Sequence, residues 1–158
     1  MKRAFGVVIA VGLFSIIGVR AQAAPATPEQ PIRSLMAKML VAANAHDTDA
    51  FMAPMVHEPS LVFAINGEVI HGWAALHAQQ LKWWHNGKSD ARYAANGAPG
   101  FMALAPDIEV VTWPLVSRRE LPDGKVASSA FVTTSIWRRL PQGWQIVYGH
   151  ESWAKPPG

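Results

Sequence analysis

The chain contains no cysteine. Disulfides, thiol nucleophiles and cysteine metal sites are therefore excluded, and an apolar core alone has to hold the fold. Long apolar runs are missing too. The longest uncharged stretch, residues 4–19, counts sixteen residues, short of the ~20 that a membrane-spanning helix needs. No glycine-rich loop of the phosphate-cradling or dinucleotide type occurs. His-Glu-x-x-His is absent, and the six histidines lack ligand-like spacing, so neither a cofactor nor a metal is expected. There is no G-x-S-x-G elbow, and Ser152 two residues after His150 on one strand is not a nucleophile–base geometry, which argues against a serine hydrolase.

Met1-Lys2-Arg3, the apolar stretch behind it and Ala21-Gln22-Ala23 form the pattern of a secretory signal peptide over residues 1–23. A retained membrane anchor is the alternative. The expectation is a periplasmic or secreted protein with no membrane attachment once the leader is cleaved. The formal charge of +3 then misleads, because Lys2, Arg3 and Arg20 lie in the leader. Of fourteen basic residues eleven remain, against eleven acidic ones, so the mature chain is neutral. Without a basic patch, nucleic acid is not an expected partner.

Residues 24–31 read as a linker, 32–154 as one domain and 155–158 as a tail. Thr27-Pro28-Glu29-Gln30 has the composition of a capping box. Ile32, Leu35, Met36, Met39, Leu40 and Ala43 then form one helical stripe, predicting a helix to about Ala45. Asp47 or Thr48 caps a short helix over 49–53. Residues 61–65 and 68–71, joined by Asn66-Gly67, predict a hairpin with a type I′ turn. A helix over 73–85 places His77 and Gln80 inside an aromatic face with Trp73 and Trp84. Residues 90–93 form a short strand, and 94–106 either a flap over a cavity mouth or a long connection. Three longer strands follow at 107–121, 126–140 and 144–153. Pro114 in the first implies a bulge or bend. Apolar residues on both parities suggest burial on both faces, with a homodimer through one of them.

In the last strand Trp144, Ile146, Tyr148, His150 and Ser152 fall on one face by simple alternation. Trp144, Ile146, His150 and Ser152, together with Thr134, Trp137 and Gly143, carry a resemblance. The pattern is similar to the end of the SnoaL-like branch of the nuclear transport factor 2-like superfamily, especially the association domain of calcium/calmodulin-dependent kinase, and the order of elements over 28–153 agrees. The resemblance implies an α+β fold, a cone-shaped, curved, mostly antiparallel sheet wrapped around three N-terminal helices with an internal pocket. It leaves function open, since that fold hosts isomerases, dehydratases, hydrolases and assembly modules.

An acid or base buried among Trp73, Trp84 and Trp113 would have its charged form desolvated and its pKa moved toward neutrality. His150, His77 and Glu109 are the catalytic candidates. Trp73, Trp84, Tyr93, Trp113, Tyr148 and Ser152 are the ligand-binding candidates. Of Arg118 and Arg119, adjacent on one strand, one faces inward or into an interface, where it either binds a carboxylate or remains a surface group. Three functions are compatible with these residues. The first is an exported binder of a small apolar, aromatic or carboxylate-bearing molecule. The others are a cofactor-independent acid–base isomerase, dehydratase or lyase, and a homo-oligomeric assembly module.

Overall fold

The computed structural model describes residues 29–154. The leader, the Thr27-Pro28 cap and the tail lie outside the described residues. Helix α1 (Glu29–Ala45) buries Ile32, Met36 and Ala43 of the predicted stripe. Helix α2 (Thr48–Met52) starts at Asp47, whose carboxylate accepts the Ala50 N–H at 3.0 Å. Strands β1 (Val62–Ile65) and β2 (Glu68–His71) form the expected hairpin, with Asn66 at φ 49° and Gly67 at φ 85°. Helix α3 (Trp73–Trp83) is followed by β3 (Arg92–Ala95), β4 (Gly100–Ala105), β5 (Ile108–Glu120), β6 (Val126–Leu140) and β7 (Gly143–Trp153).

The seven strands make one sheet in the order β2-β1-β7-β6-β5-β3, with β4 also paired to β5. Every pairing is antiparallel except β1 with β7. Residues 94–106, open between a flap and a connection in the sequence, supply the end of β3 and all of β4. Pro114 keeps an unbroken register with β6, opposite Val132, so of the bulge or bend expected there, no bulge interrupts the pairing with β6. On its other side Pro114 falls between the pairings Ala95↔Leu115 and Gly100↔Thr112, and Asn96 donates to its carbonyl at 2.9 Å. The residue without an N–H thus sits where one edge strand stops and the next begins, which is where a missing donor costs least.

A register break falls in β7 instead, besides the one between Ala103 and Ala105 in the pairing of β4 with β5. Trp137 pairs with Ile146 but Ile136 pairs with Tyr148, leaving Val147 as an extra residue. Its position follows a change of neighbour. Ile146 exchanges hydrogen bonds with Pro54 and Val56 of the segment after α2, whereas β1 takes over from Tyr148 onward. A one-residue bulge inverts the alternation beyond it. The core lies between the helices and the concave face, built from Ile32, Met36, Met52, Leu61, Leu76, Val111, Trp137 and Ile146.

Candidate functional site

Between α1, α3 and the concave face lies a cavity of about 420 Å³, within the size range of small-molecule sites. Its walls are apolar and aromatic: Met36 and Met39 from α1, Phe63 from β1, Trp83 and Trp84 from the end of α3, Trp113 from β5, Phe131 from β6 and Trp153 from β7. Polar groups enter from β3 (Tyr93), β5 (Ser117, Arg119), β6 (Thr133, Ser135) and β7 (Glu151).

Glu151 is the centre of this wall. It stands across from Ile65 and Thr133 in the register, and the bulge at Val147 gives it the concave side. Gly149 shares that side: a Cβ built there would lie 2.6 Å from the Phe63 ring, so the ring packs directly on the glycine backbone. Trp153 Nε1 donates to Glu151 Oε2 at 3.1 Å, and its ring stacks on Phe131 at 4.0 Å. Burial pushes the Glu151 carboxyl up to about 7, against the smaller opposing effect of the Trp153 hydrogen bond. Its surface is only partly covered because it opens onto the cavity. That surface is interior, and the shift reflects enclosure among apolar groups.

Tyr93 faces the same space. Asn44 of α1 holds its backbone, accepting the Tyr93 N–H at 2.8 Å and donating to its carbonyl at 2.9 Å. The Tyr93 hydroxyl accepts from Trp84 Nε1 at 3.1 Å, and its own proton meets no acceptor among the described residues. Burial raises its pKa, Trp84 lowers it, the Glu151 charge raises it and the Arg119 charge lowers it. Tyr93 therefore stays a phenol, a donor, at neutral pH, and it feels both Glu151 and Arg119.

The sequence candidates separate into two groups. Trp84, Tyr93 and Trp113 line the cavity. Trp73 does not: it stacks on His77 at 4.7 Å and meets His57 edge-on at 3.9 Å, and His77 bonds to the exposed Asp49 at 2.7 Å. Glu109 is covered (2% exposed) but is not a cavity group; burial and then the Glu29 charge raise its pKa. His150 borders the cavity, yet it alternates with Gly149 and Glu151, so its side chain belongs to the convex side, opposite Thr134. Tyr148 and Ser152 share that side and do not line the cavity. Simple alternation along β7 had placed all three with Ile146, and the bulge separates them. Glu151 was missed for the same reason. The usable signal was Gly149, a glycine inside a strand, which marks a bulge or a close approach.

A curved, mostly antiparallel sheet closed by helices over an aromatic cavity defines an α+β pocket domain. No family model matches the sequence, and no curated protein does. Solved structures are similar. A nuclear transport factor 2-like superfamily protein from Salmonella enterica is 18% identical, over 84% of this chain and 94% of that one, with TM-score 0.66. The association domain of C. elegans CaMKII is 16% identical over 78% and 94%, with TM-score 0.65. A ketosteroid isomerase-like protein from Erwinia carotovora is 20% identical over 79% and 95%, with TM-score 0.61. The chain has the nuclear transport factor 2-like fold.

Proposed function

We propose that this protein is a cofactor-independent enzyme that moves a proton on a small, largely apolar carbonyl compound. Glu151 is the acid–base group and Tyr93 the donor to the carbonyl oxygen. The observation that carries the reading is the Glu151 carboxyl on the cavity wall with its pKa pushed up to about 7. A group there can both take and return a proton at neutral pH. In the step, the Glu151 carboxylate removes a proton from the carbon next to the carbonyl. The electron pair of that C–H bond moves into an enolate whose oxygen the Tyr93 hydroxyl stabilises. Glu151 then returns the proton to the same carbon or, in a conjugated substrate, to another. The indole and phenyl walls exclude water and hold the apolar body of the substrate.

A binding role without chemistry is the second reading, favoured by the predominance of Trp83, Trp84, Trp113 and Trp153 in the lining. The two readings divide on one experiment. Ketones that quench the tryptophan fluorescence are incubated with the protein in D₂O, and deuterium incorporation is followed by mass spectrometry. The enzyme exchanges the proton, at a rate that rises with pH as Glu151 ionises through about 7. Glu151→Gln lowers that rate by about 10²–10⁴ while binding persists. Binding without exchange, or exchange indifferent to Glu151→Gln, overturns the enzyme. We also propose export, on the leader pattern of residues 1–23, and a homodimer through the convex face. That face places Ile136 opposite Tyr148 and leaves Val132 exposed.

A further inference from the structure

The cavity has one charged end. Among its lining side chains the cations are Lys82, in the last turn of α3, and Arg119, near the end of β5. Lys82 is exposed and the Arg119 side chain is one-third exposed, so they mark the opening toward solvent. His85, also lining and exposed, adds an imidazole at the same helix end. Asp90 bonds to Arg119 Nε at 2.8 Å. Lys82 and Arg119 thus give this part of the lining its cationic side chains.

The end of α3 is built to keep that charge available. A helix C-terminus presents unpaired carbonyls whose negative ends would oppose an anion. Here they are taken up: Trp84 N–H bonds to Gln80 O, His85 N–H to Lys82 O, and Asn86 N–H to Leu81 O. The closing turn runs through His85 at φ 50° and Asn86 at φ 54°, a left-handed conformation uncommon for side-chain-bearing residues. It sets His85 at the rim while capping the helix.

We infer that the substrate bears a carboxylate, remote from its reacting carbonyl, held at the rim by Lys82 and Arg119. Arg with Lys supplies both geometric and point-charge recognition of carboxylate oxygens. The apolar body then lies along Phe63, Trp84 and Trp113 with the carbonyl toward Glu151 and Tyr93. This inference rests on the cavity being the substrate site, and its test reads binding rather than turnover.

The probes are 4-oxo-4-phenylbutyrate and butyrophenone, which share an aryl ketone and differ mainly in the carboxylate. Their affinities are measured by tryptophan fluorescence at low and at 0.5 M salt, on the wild type, Lys82→Gln and Arg119→Gln. The acid is expected to bind about tenfold more tightly at low salt, with the preference shrinking in salt. Lys82→Gln should cost the acid about three- to tenfold and leave the neutral ketone unchanged. Because Arg119 also holds Asp90, its variant serves as the second arm, and Lys82→Gln leaves that ion pair intact. Equal affinity for both probes, equal losses for both on Lys82→Gln, or no binding of the acid at millimolar concentration overturns the inference. A charge preference without deuterium exchange leaves it standing and removes only the proton-transfer reading.

Discussion

Replacing Glu151 by Gln tests the site without a substrate. The amide keeps an oxygen to accept the Trp153 N–H, now at 3.1 Å from Oε2, and removes only the ionisation. In the unfolded chain the carboxyl titrates near its ordinary 4.5; in the folded protein it titrates near 7. A folded-state pKa that is raised means the folded state holds the proton more tightly. The protein therefore bears no penalty below about 4.5, loses stability as pH rises between the two values, and stays penalised above about 7. At 1.36 kcal/mol for each pKa unit, the penalty reaches about 3 kcal/mol by pH 8. For a domain of this size that is on the order of 10 °C in Tm. Urea denaturation of wild type and Glu151→Gln from pH 4 to 8.5 measures it. The two stabilities should differ by a constant at pH 4–4.5 and then diverge in favour of the variant, with a slope of up to about 1.4 kcal/mol per pH unit. Parallel curves across the whole range would refute the desolvated carboxyl and remove the basis of the proton-transfer mechanism.

Two further substitutions probe the supports of the wall. Gly149→Ala sets a methyl 2.6 Å from Phe63 Cδ2 and 2.8 Å from Cε2, so the ring must shift into the cavity; the expected cost is about 1–3 kcal/mol, read by urea denaturation, together with weaker ligand-induced fluorescence quenching. Asn44→Ala strips both side-chain hydrogen bonds from the Tyr93 backbone and should cost about 1–3 kcal/mol. Hydrogen exchange should show the Tyr93 amide opening well below the free energy of global unfolding, while the amides of β6 keep their protection.

The fold was legible because each helix and every strand but β4 announced itself by its own period and punctuation. The α1 stripe, the Asn66-Gly67 turn and the Asp47 cap are local signals, and local signals survive without tertiary information. The candidate site was legible where it rested on such signals: Trp84 and Tyr93 flank the turn after α3, and Trp113 lies on a strand whose register with β6 is unbroken. Trp73 and His77 were drawn into the site by a helical wheel that is correct about their shared side but silent about what covers it. In the fold that side of the first turn meets Asp49 and His57, while the later turn, at Gln80 and Trp84, reaches the cavity. β4 was hidden because its glycine- and proline-rich surroundings read as loop, and only the free edge of β5 makes it a strand.

Glu151 was illegible for a deeper reason. Side chains on a strand are assigned to a face by counting, and one uncounted residue reverses every assignment after it. Val147 is that residue, and its cause is remote in sequence: the edge of β7 is held by Pro54 and Val56 up to Ile146 and by β1 from Tyr148. The two partners arrive in registers that one continuous strand cannot satisfy, and the bulge absorbs the mismatch. Its consequence is chemical. With straight alternation His150 would face the helices and Glu151 would lie on the convex side, outside the cavity. The inserted residue instead encloses the carboxyl beside Trp153 and Tyr93, and the raised pKa follows from that enclosure. Deleting Val147 should therefore leave the far end of β7 as it is: Ile146 and Tyr148 become neighbours, alternation is regular, and Glu151 keeps the concave side. If the fold survives, the pH-dependent loss of stability between about 4.5 and 7 should persist. A deletion variant that folds but shows no such loss would refute this account of which face Glu151 takes.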